Sequence, residues 1–298
     1  MKLENLETEK VNRDSYNIDR ISTYEMVKII NHEDHRVAEA IEKILPTLAT
    51  VIDRISERYN KGGRLIYLGA GTSGRLGILD AAELVPTFGI DATRVVGLIA
   101  GGHSAMFQAV EGIEDSTVAA QKELKNLCLS SMDTVIAIAA SGRTPYCLGG
   151  LSFANTMGSL TVALTCVAES EMGKLADYEL NPIVGPETIT GSTRMKAGTA
   201  QKMVLNTLST GVMIRAGKIY HNLMIDVLPT NEKLTQRAQR IIVTTTGVSL
   251  ATAQIALLQA KNEVPTAITM LKTGKNYTQV KELLKEKNGQ ISQVLADD

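Results

Sequence analysis

Two glycine-rich segments carrying hydroxyl side chains give the clearest chemical signal in this sequence. Gly69-Ala70-Gly71-Thr72-Ser73-Gly74-Arg75 follows a short apolar run and leads into a helical pattern. Glycine there lets a ligand approach the backbone at Gly71, and Thr72 and Ser73 add hydroxyl donors beside the free N–H groups of a helix start. Ala139-Ala140-Ser141-Gly142-Arg143-Thr144-Pro145 repeats the design, with proline suited to a first helical turn. Taken alone, Ser141 and Thr144 read equally well as helix caps. Two such loops together point to a terminal phosphate, and more narrowly to a sugar phosphate.

Other chemistries fit less well. The first loop is a literal GxGxxG, which a dinucleotide site would use, but that site also wants an acid at the end of the second strand. The second apolar run ends in Ala100-Gly101-Gly102, and Asp91 lies before it, at the wrong end. His32 and His35 share a helical face that Glu39 could join, yet they fall short of a ligand set and read as a solvated face, so no metal site is expected. Cys128, Cys147 and Cys166 are odd in number and widely spaced, which predicts free thiols in a reducing compartment.

The elements that must position these loops follow from periodicity. Residues 1–20 read as an irregular arm. From Ser22 to Asn60 apolar residues recur at helical spacing, with Pro46 expected to kink or divide the stretch. Candidate strands are Arg64–Leu68, Val95–Ala100, Thr134–Ala139, Leu160–Thr165 and Tyr178–Val184, alternating with helical patterns as in a parallel sheet buried on both faces. Gly191–Gly217 reads as a long helix rich in small residues. After Pro229 four short helices are expected, over Glu232–Thr246, Leu250–Lys261, Pro265–Lys272 and Thr278–Glu286. The expected organisation is an N-terminal helical lead-in over 1–54, a doubly wound five-stranded α/β domain over 55–218 and a helical module over 219–298.

Composition narrows the function classes. The 298 residues contain 31 Lys+Arg and 32 Asp+Glu, a formal net charge of −1, and no basic tract, so nucleic acid and anionic membranes are not expected partners. With no Trp, 3 Phe and 8 Tyr, base-stacking platforms are not expected. No apolar run has the ~18–20 residues of a membrane span. The polar start MKLENLETEKVNRDSYN is unlike a signal peptide, which leads to the expectation of a cytoplasmic chain.

The two loops resemble the sugar isomerase (SIS) domain, a phosphosugar-binding module with a five-stranded parallel sheet. Longer stretches narrow the resemblance. LGILDAAELVPTFG at 76–89, AGGHSAMFQAVEGIEDS at 100–116, TGSTRMKAGTAQK at 190–202 and NLMIDVLPTNEKL at 222–234 are similar to the N-acetylmuramic acid 6-phosphate etherase family over nearly the whole chain. Thr193 and His221 stand where the family pattern has a Ser and a small residue. The resemblance implies cleavage of a lactyl ether by elimination and rehydration, without cofactor or metal, in a homodimer. Elimination needs a proton acceptor and a proton donor.

The resemblance assigns these roles to Glu114, as base, and Glu83, as acid; without it, each would read as a solvated surface charge. Small and apolar neighbours are expected to desolvate Glu83. Asp80, Glu111 and Asp115 read as capping or solvent-facing groups. Ser192, Arg194 and Lys196 either reach the substrate's carboxylate or phosphate, or serve as caps and exposed charge. A phosphosugar isomerase would share the loops, but it has no use for a second acid. A non-catalytic sugar-phosphate sensor, such as the mammalian glucokinase regulator that resembles this family, would share them too.

Overall fold

The computed structural model describes residues 7–108, 110, 112–227 and 231–297. Glu111 and Pro229 lie outside the described residues. Five strands, β1 (Leu65–Gly69), β2 (Val95–Ile99), β3 (Thr134–Ile138), β4 (Leu160–Leu164) and β5 (Tyr178–Leu180), form one parallel sheet in the order β2-β1-β3-β4-β5. The order reverses between β1 and β3, so the sheet is doubly wound and its crevice opens at the carboxyl ends of those two strands. Every residue of β1, β3 and β4 is buried, as the unbroken apolar runs require of strands covered on both faces.

Side-chain hydrogen bonds lock the register at the opposite edge. Asp133, at the entry to β3, accepts from the backbone N–H of Arg64 at 2.9 Å and from its guanidinium at 3.0 and 2.7 Å. Burial acts to raise the Asp133 pKa, but Arg64 and the backbone donors outweigh it and hold the carboxyl below its ordinary value.

The chain divides into two compact units, one of Met1–Ala82 with Thr93–Ser209 and the other of Glu83–Ala92 with Thr210–Asp298. The first holds the sheet with α1 (Thr23–Glu42) and α2 (Leu45–Asn60). Ser22 caps α1 in a capping box, and Pro46 stands in the first turn of α2, so the proline divides the helical stretch rather than kinking it. Helix α3 (Gly71–Phe88) follows β1, α4 (Thr117–Asn126) precedes β3, and α5 (Pro145–Thr156) and α6 (Glu171–Leu175) flank β4. Helix α7 (Lys196–Arg215) and α3 are the two elements within which the division falls.

The second unit is built from a two-residue antiparallel ladder, β6 (Ile219–Tyr220) with β7 (Leu223–Met224), and five helices. These are α8 (Glu232–Thr246), α9 (Leu250–Gln259), α10 (Val264–Thr273), α11 (Tyr277–Glu286) and α12 (Ile291–Ala296). They close over their own core, including Ile242, Ala253, Leu257, Ile268, Val280 and Ile291. Four of them match the expected tail helices; α12 and the ladder are additional.

Candidate active site

The first loop is shaped by contact between strand and helix. A Cβ at Gly69 would lie 2.8 Å from the Gly74 nitrogen and 2.9 Å from the Ile138 carbonyl oxygen, and one at Gly74 would lie 2.6 Å from the Gly69 oxygen. These two glycines let α3 start directly against β1. Gly71, at φ +52°, makes the left-handed turn into the helix. The first α3 amide to bond backward in the chain is that of Gly74, to Ala70 at 3.2 Å, so the turn before it presents N–H groups with no helical partner. Thr72 and Ser73 are half-buried beside these groups.

The second loop leaves β3, the neighbour of β1, and is braced from the side. Gly142 has φ +65°, and a Cβ there would lie 2.3 Å from Ser170 Cβ. Its carbonyl accepts from the Met172 amide at 2.9 Å. Ser170 and Thr165 in turn donate to Glu179 at 2.5 and 2.9 Å. Thr144 occupies the cap position of α5 but makes no side-chain cap bond, so its hydroxyl is not consumed by the helix. Ser141 and Arg143 are half-buried on the same loop. The two loops therefore stand side by side at the switch point, each with a helix N-terminus directed at the crevice.

Arg75 joins a third segment to the first loop. Its guanidinium donates to the carbonyls of Ala105 and Met106 at 2.8 and 3.0 Å, which pins the 3-10 turn Gly102–Met106 after β2. His103 in that turn is exposed and rests against Phe107, with ring centroids 5.5 Å apart. Glu114 and Asp115 lie exposed in a further 3-10 turn, Ile113–Asp115, packed on α5. The Cys147 thiol, in the first turns of α5, is pushed up to about 12, mainly by burial and in part by the Glu114 charge. The turn that carries Glu114 packs on α5, the helix that follows the second loop.

Glu83 stands about three turns along α3, in the second unit, and is exposed. Its apolar neighbours Ala81 and Leu84 are buried, while Glu83 and Ala82 face outward, so the expected desolvation is not present in this chain. Adjacent residues on a helix point in different directions, and sequence proximity to apolar residues does not bury a side chain. The buried carboxylate of α3 is Asp80, against the expectation of a solvent-facing group. It accepts from Tyr67 Oη at 2.7 Å and Ser209 Oγ at 3.0 Å, and burial raises its pKa.

Helix α7 is capped from an unexpected source. Its first two amides, of Lys196 and Ala197, donate to the two oxygens of Glu187, each at 2.9 Å. Burial raises the Glu187 pKa against these bonds. Lys196, read from sequence either as reaching an anionic substrate or as a cap and exposed charge, has a fully buried side chain, and its ammonium is paired with Glu33 of α1, a residue also bonded by Asn12 at 2.9 Å. An ammonium so enclosed is unavailable to a ligand outside. Ser192 is half-buried and Arg194 exposed in the turn before α7.

One residue that sequence reasoning passed over is Gln201, one turn further on. It is 1 % exposed and accepts the Ser73 hydroxyl at 2.8 Å. The signal available was its place in the TGSTRMKAGTAQK block, which gave no hint of its partner. Among the described residues no group of three or more His, Cys, Asp or Glu side chains is placed to hold a metal ion.

A doubly wound sheet with two hydroxyl-bearing loops at its switch point defines a phosphosugar-binding protein of the SIS class. Residues 47–155 match the glucokinase regulatory protein N-terminal SIS domain and residues 113–211 the SIS domain. The chain is 55 % identical over 298 residues to N-acetylmuramic acid 6-phosphate etherase of Lactobacillus acidophilus, covering 100 % of both chains. It is 56 % identical over 295 residues to the etherase of Lactobacillus gasseri, covering 99 % of each. The chain belongs to the N-acetylmuramic acid 6-phosphate etherase family. Among solved structures, a phosphoheptose isomerase from Neisseria gonorrhoeae shares the fold, with a TM-score of 0.50 and 16 % identity over 64 % of this chain and 98 % of that one.

Proposed function

We propose that this chain cleaves the D-lactyl ether of N-acetylmuramic acid 6-phosphate with water, giving N-acetylglucosamine 6-phosphate and D-lactate in the recycling of cell-wall sugar. The observation that carries this reading is identity above 50 % to etherases along the entire chain. The paired loops at the switch point support the phosphate half of the substrate.

The reaction follows from the substrate's own chemistry. An ether resists direct hydrolysis near neutral pH. In the open-chain sugar, the C2 hydrogen lies next to the C1 aldehyde and can be removed as a proton. Glu114, exposed in the turn packed on α5, takes it as the ionised base. The C3–oxygen bond then breaks, lactate departs, and Glu83 supplies the proton to the leaving oxygen. Water adds to the unsaturated aldehyde at C3 and a proton returns to C2. Each step moves only protons and one carbon–oxygen bond, which is general acid–base catalysis.

The 6-phosphate is held by Gly71, Thr72 and Ser73 from the first loop and by Ser141, Arg143 and Thr144 from the second. Ser192 and Arg194 serve the lactyl carboxylate. The protein works as a homodimer in the cytoplasm. Incubation of the pure protein with N-acetylmuramic acid 6-phosphate alone, followed by a lactate assay, tests the reading. Stoichiometric D-lactate is expected; no release, with the substrate intact, overturns it.

A further inference from the structure

A serine hydroxyl has one proton to give. In this structure Ser73 gives it to Oε1 of Gln201, at 2.8 Å. A hydroxyl so engaged accepts further hydrogen bonds but does not donate them, and an ionised phosphate oxygen only accepts. The observed arrangement therefore has the wrong polarity for the anion that this loop is read to bind. The same contact holds the remedy. The amide nitrogen of Gln201 is as buried as the rest of its side chain and has no hydrogen-bond partner among the described residues. Half a turn about the terminal side-chain bond exchanges oxygen and nitrogen with almost no change of shape. Nε2 then donates to Ser73 Oγ, the buried nitrogen gains an acceptor, and the hydroxyl proton is released toward the ligand.

We propose that Gln201 is a positioning residue that sets the donor direction of Ser73, through a relay from the Gln201 amide to the Ser73 hydroxyl to a phosphate oxygen. The relay rests on reading the first loop as a phosphosugar site. Its surroundings let the amide turn without travelling. Helix α7 is fixed one turn earlier by Glu187 on its first amides and by the Lys196–Glu33 pair. It also runs close to the loop, since a Cβ at Gly198 would sit 3.6 Å from Thr72 Cγ2. Hydrogen bonds in series polarise one another, so a relay that ends on an anion strengthens each member. Glutamine is suited to this place because it offers both a donor and an acceptor in one planar group. A carboxylate of the same shape would only accept, and a thioether would do little of either.

The probe is N-acetylglucosamine 6-phosphate, titrated calorimetrically at pH 8 into the wild-type protein, Gln201→Met, Gln201→Glu, Ser73→Ala and the two double variants, with thermal melts alongside. Gln201→Met is expected to weaken binding roughly 2- to 12-fold, the loss of one neutral hydrogen bond. Gln201→Glu, which holds the Ser73 proton on the wrong side, is expected to weaken it further. Once Ser73 is alanine the Gln201→Met penalty should vanish and the Gln201→Glu penalty should shrink to the repulsion of its charge, because the relay then has no middle member. A Gln201→Glu penalty that is undiminished in the Ser73→Ala background would be charge repulsion alone and would overturn the relay. Wild-type affinity in Gln201→Met, whatever its melting temperature, would overturn it as well. If Gln201→Met does not fold, the near-isosteric Gln201→Glu pair decides by the same criterion. Failure of the wild-type protein to bind the probe would instead remove the phosphosugar reading, and the relay with it.

Discussion

Ser73 and Ser141 sit on adjacent loops, and each is read as one donor to the same phosphate. A hydrogen bond to a charged group contributes ~1.5–3 kcal/mol, so Ser73→Ala and Ser141→Ala should each weaken substrate binding roughly 10- to 150-fold. The loss should shrink for an analogue lacking the 6-phosphate, and equal losses with and without it would assign the loops to another ligand. The two glutamates separate by isotope exchange. Glu114→Gln should abolish both lactate release and solvent-deuterium exchange at C2, since both need the proton removed. Glu83→Gln should slow lactate release by ~10²–10⁴-fold while exchange survives. The reverse pattern would exchange their roles, and near-normal release in both would withdraw them. Residue identity was legible in the loops because glycine and hydroxyl spacing encode a local turn. Orientation was not. Asp80 and Glu83 lie three apart on α3, yet Asp80 is buried under Tyr67 and Ser209 while Glu83 is exposed, because long-range partners decide which carboxylate is enclosed.

Two element-scale contacts hold the loops in register. Gly142 combines a left-handed backbone with a wall, Ser170, where a side chain would go. Gly142→Ala should destabilise the protein by ~1–3 kcal/mol or more and displace the second loop, read as a lowered melting temperature and a raised KM. Asp133 ties the entries of β1 and β3. Its folded pKa lies below the unfolded value of about 3.9, so its stabilisation is complete above that value and is lost as pH falls through the folded pKa. Asp133→Asn should lower stability at neutral pH and flatten the acid limb of a stability–pH curve; a limb as steep as the wild type's would sink this account. All five strands were legible to within a few residues, because short apolar runs between glycine-rich turns alternate with longer helical patterns; β1, β3 and β4 are the ones buried throughout. The ladder β6–β7 was not, since two residues carry no period. Helix α12 is six residues long with no side-chain cap at Gln290, which leaves little local signal. Helix α7 begins at Lys196 rather than at Gly191, because Gly191 is left-handed and Glu187, outside the periodic stretch, caps the first amides.

At the scale of the whole molecule, a homodimeric mass by light scattering is expected at working concentration, and full activity in a monomer would count against that proposal. Added chelator should leave the etherase activity unchanged; complete loss restored by one metal would overturn the proposed route. The N-terminal segment read in sequence as a lead-in, yet Asn12 and Glu33 reach the start of α7 and Ser15 donates to the Thr188 carbonyl at 2.7 Å. Such contacts leave no trace in a local pattern. Glu33→Ala would strand an ammonium in the interior, and breaking a buried pair on one side costs ~3–5 kcal/mol, so it should melt far earlier than the wild type. This pair spans 163 positions of sequence. A ribosome adding about 5–20 residues per second makes α1 roughly 8–33 seconds before Lys196 exists. Through that interval Glu33 has only its i,i+3 neighbour Arg36, at 3.3 Å, as a cationic partner, and docking α1 early would bury it without the enclosed ammonium that pairs with it in the finished fold. Docking of α1 is then expected to be completed only with α7, and on stalled nascent chains α1 should stay open to protease until residue 196 has cleared the exit tunnel; full protection before that point would overturn the expectation.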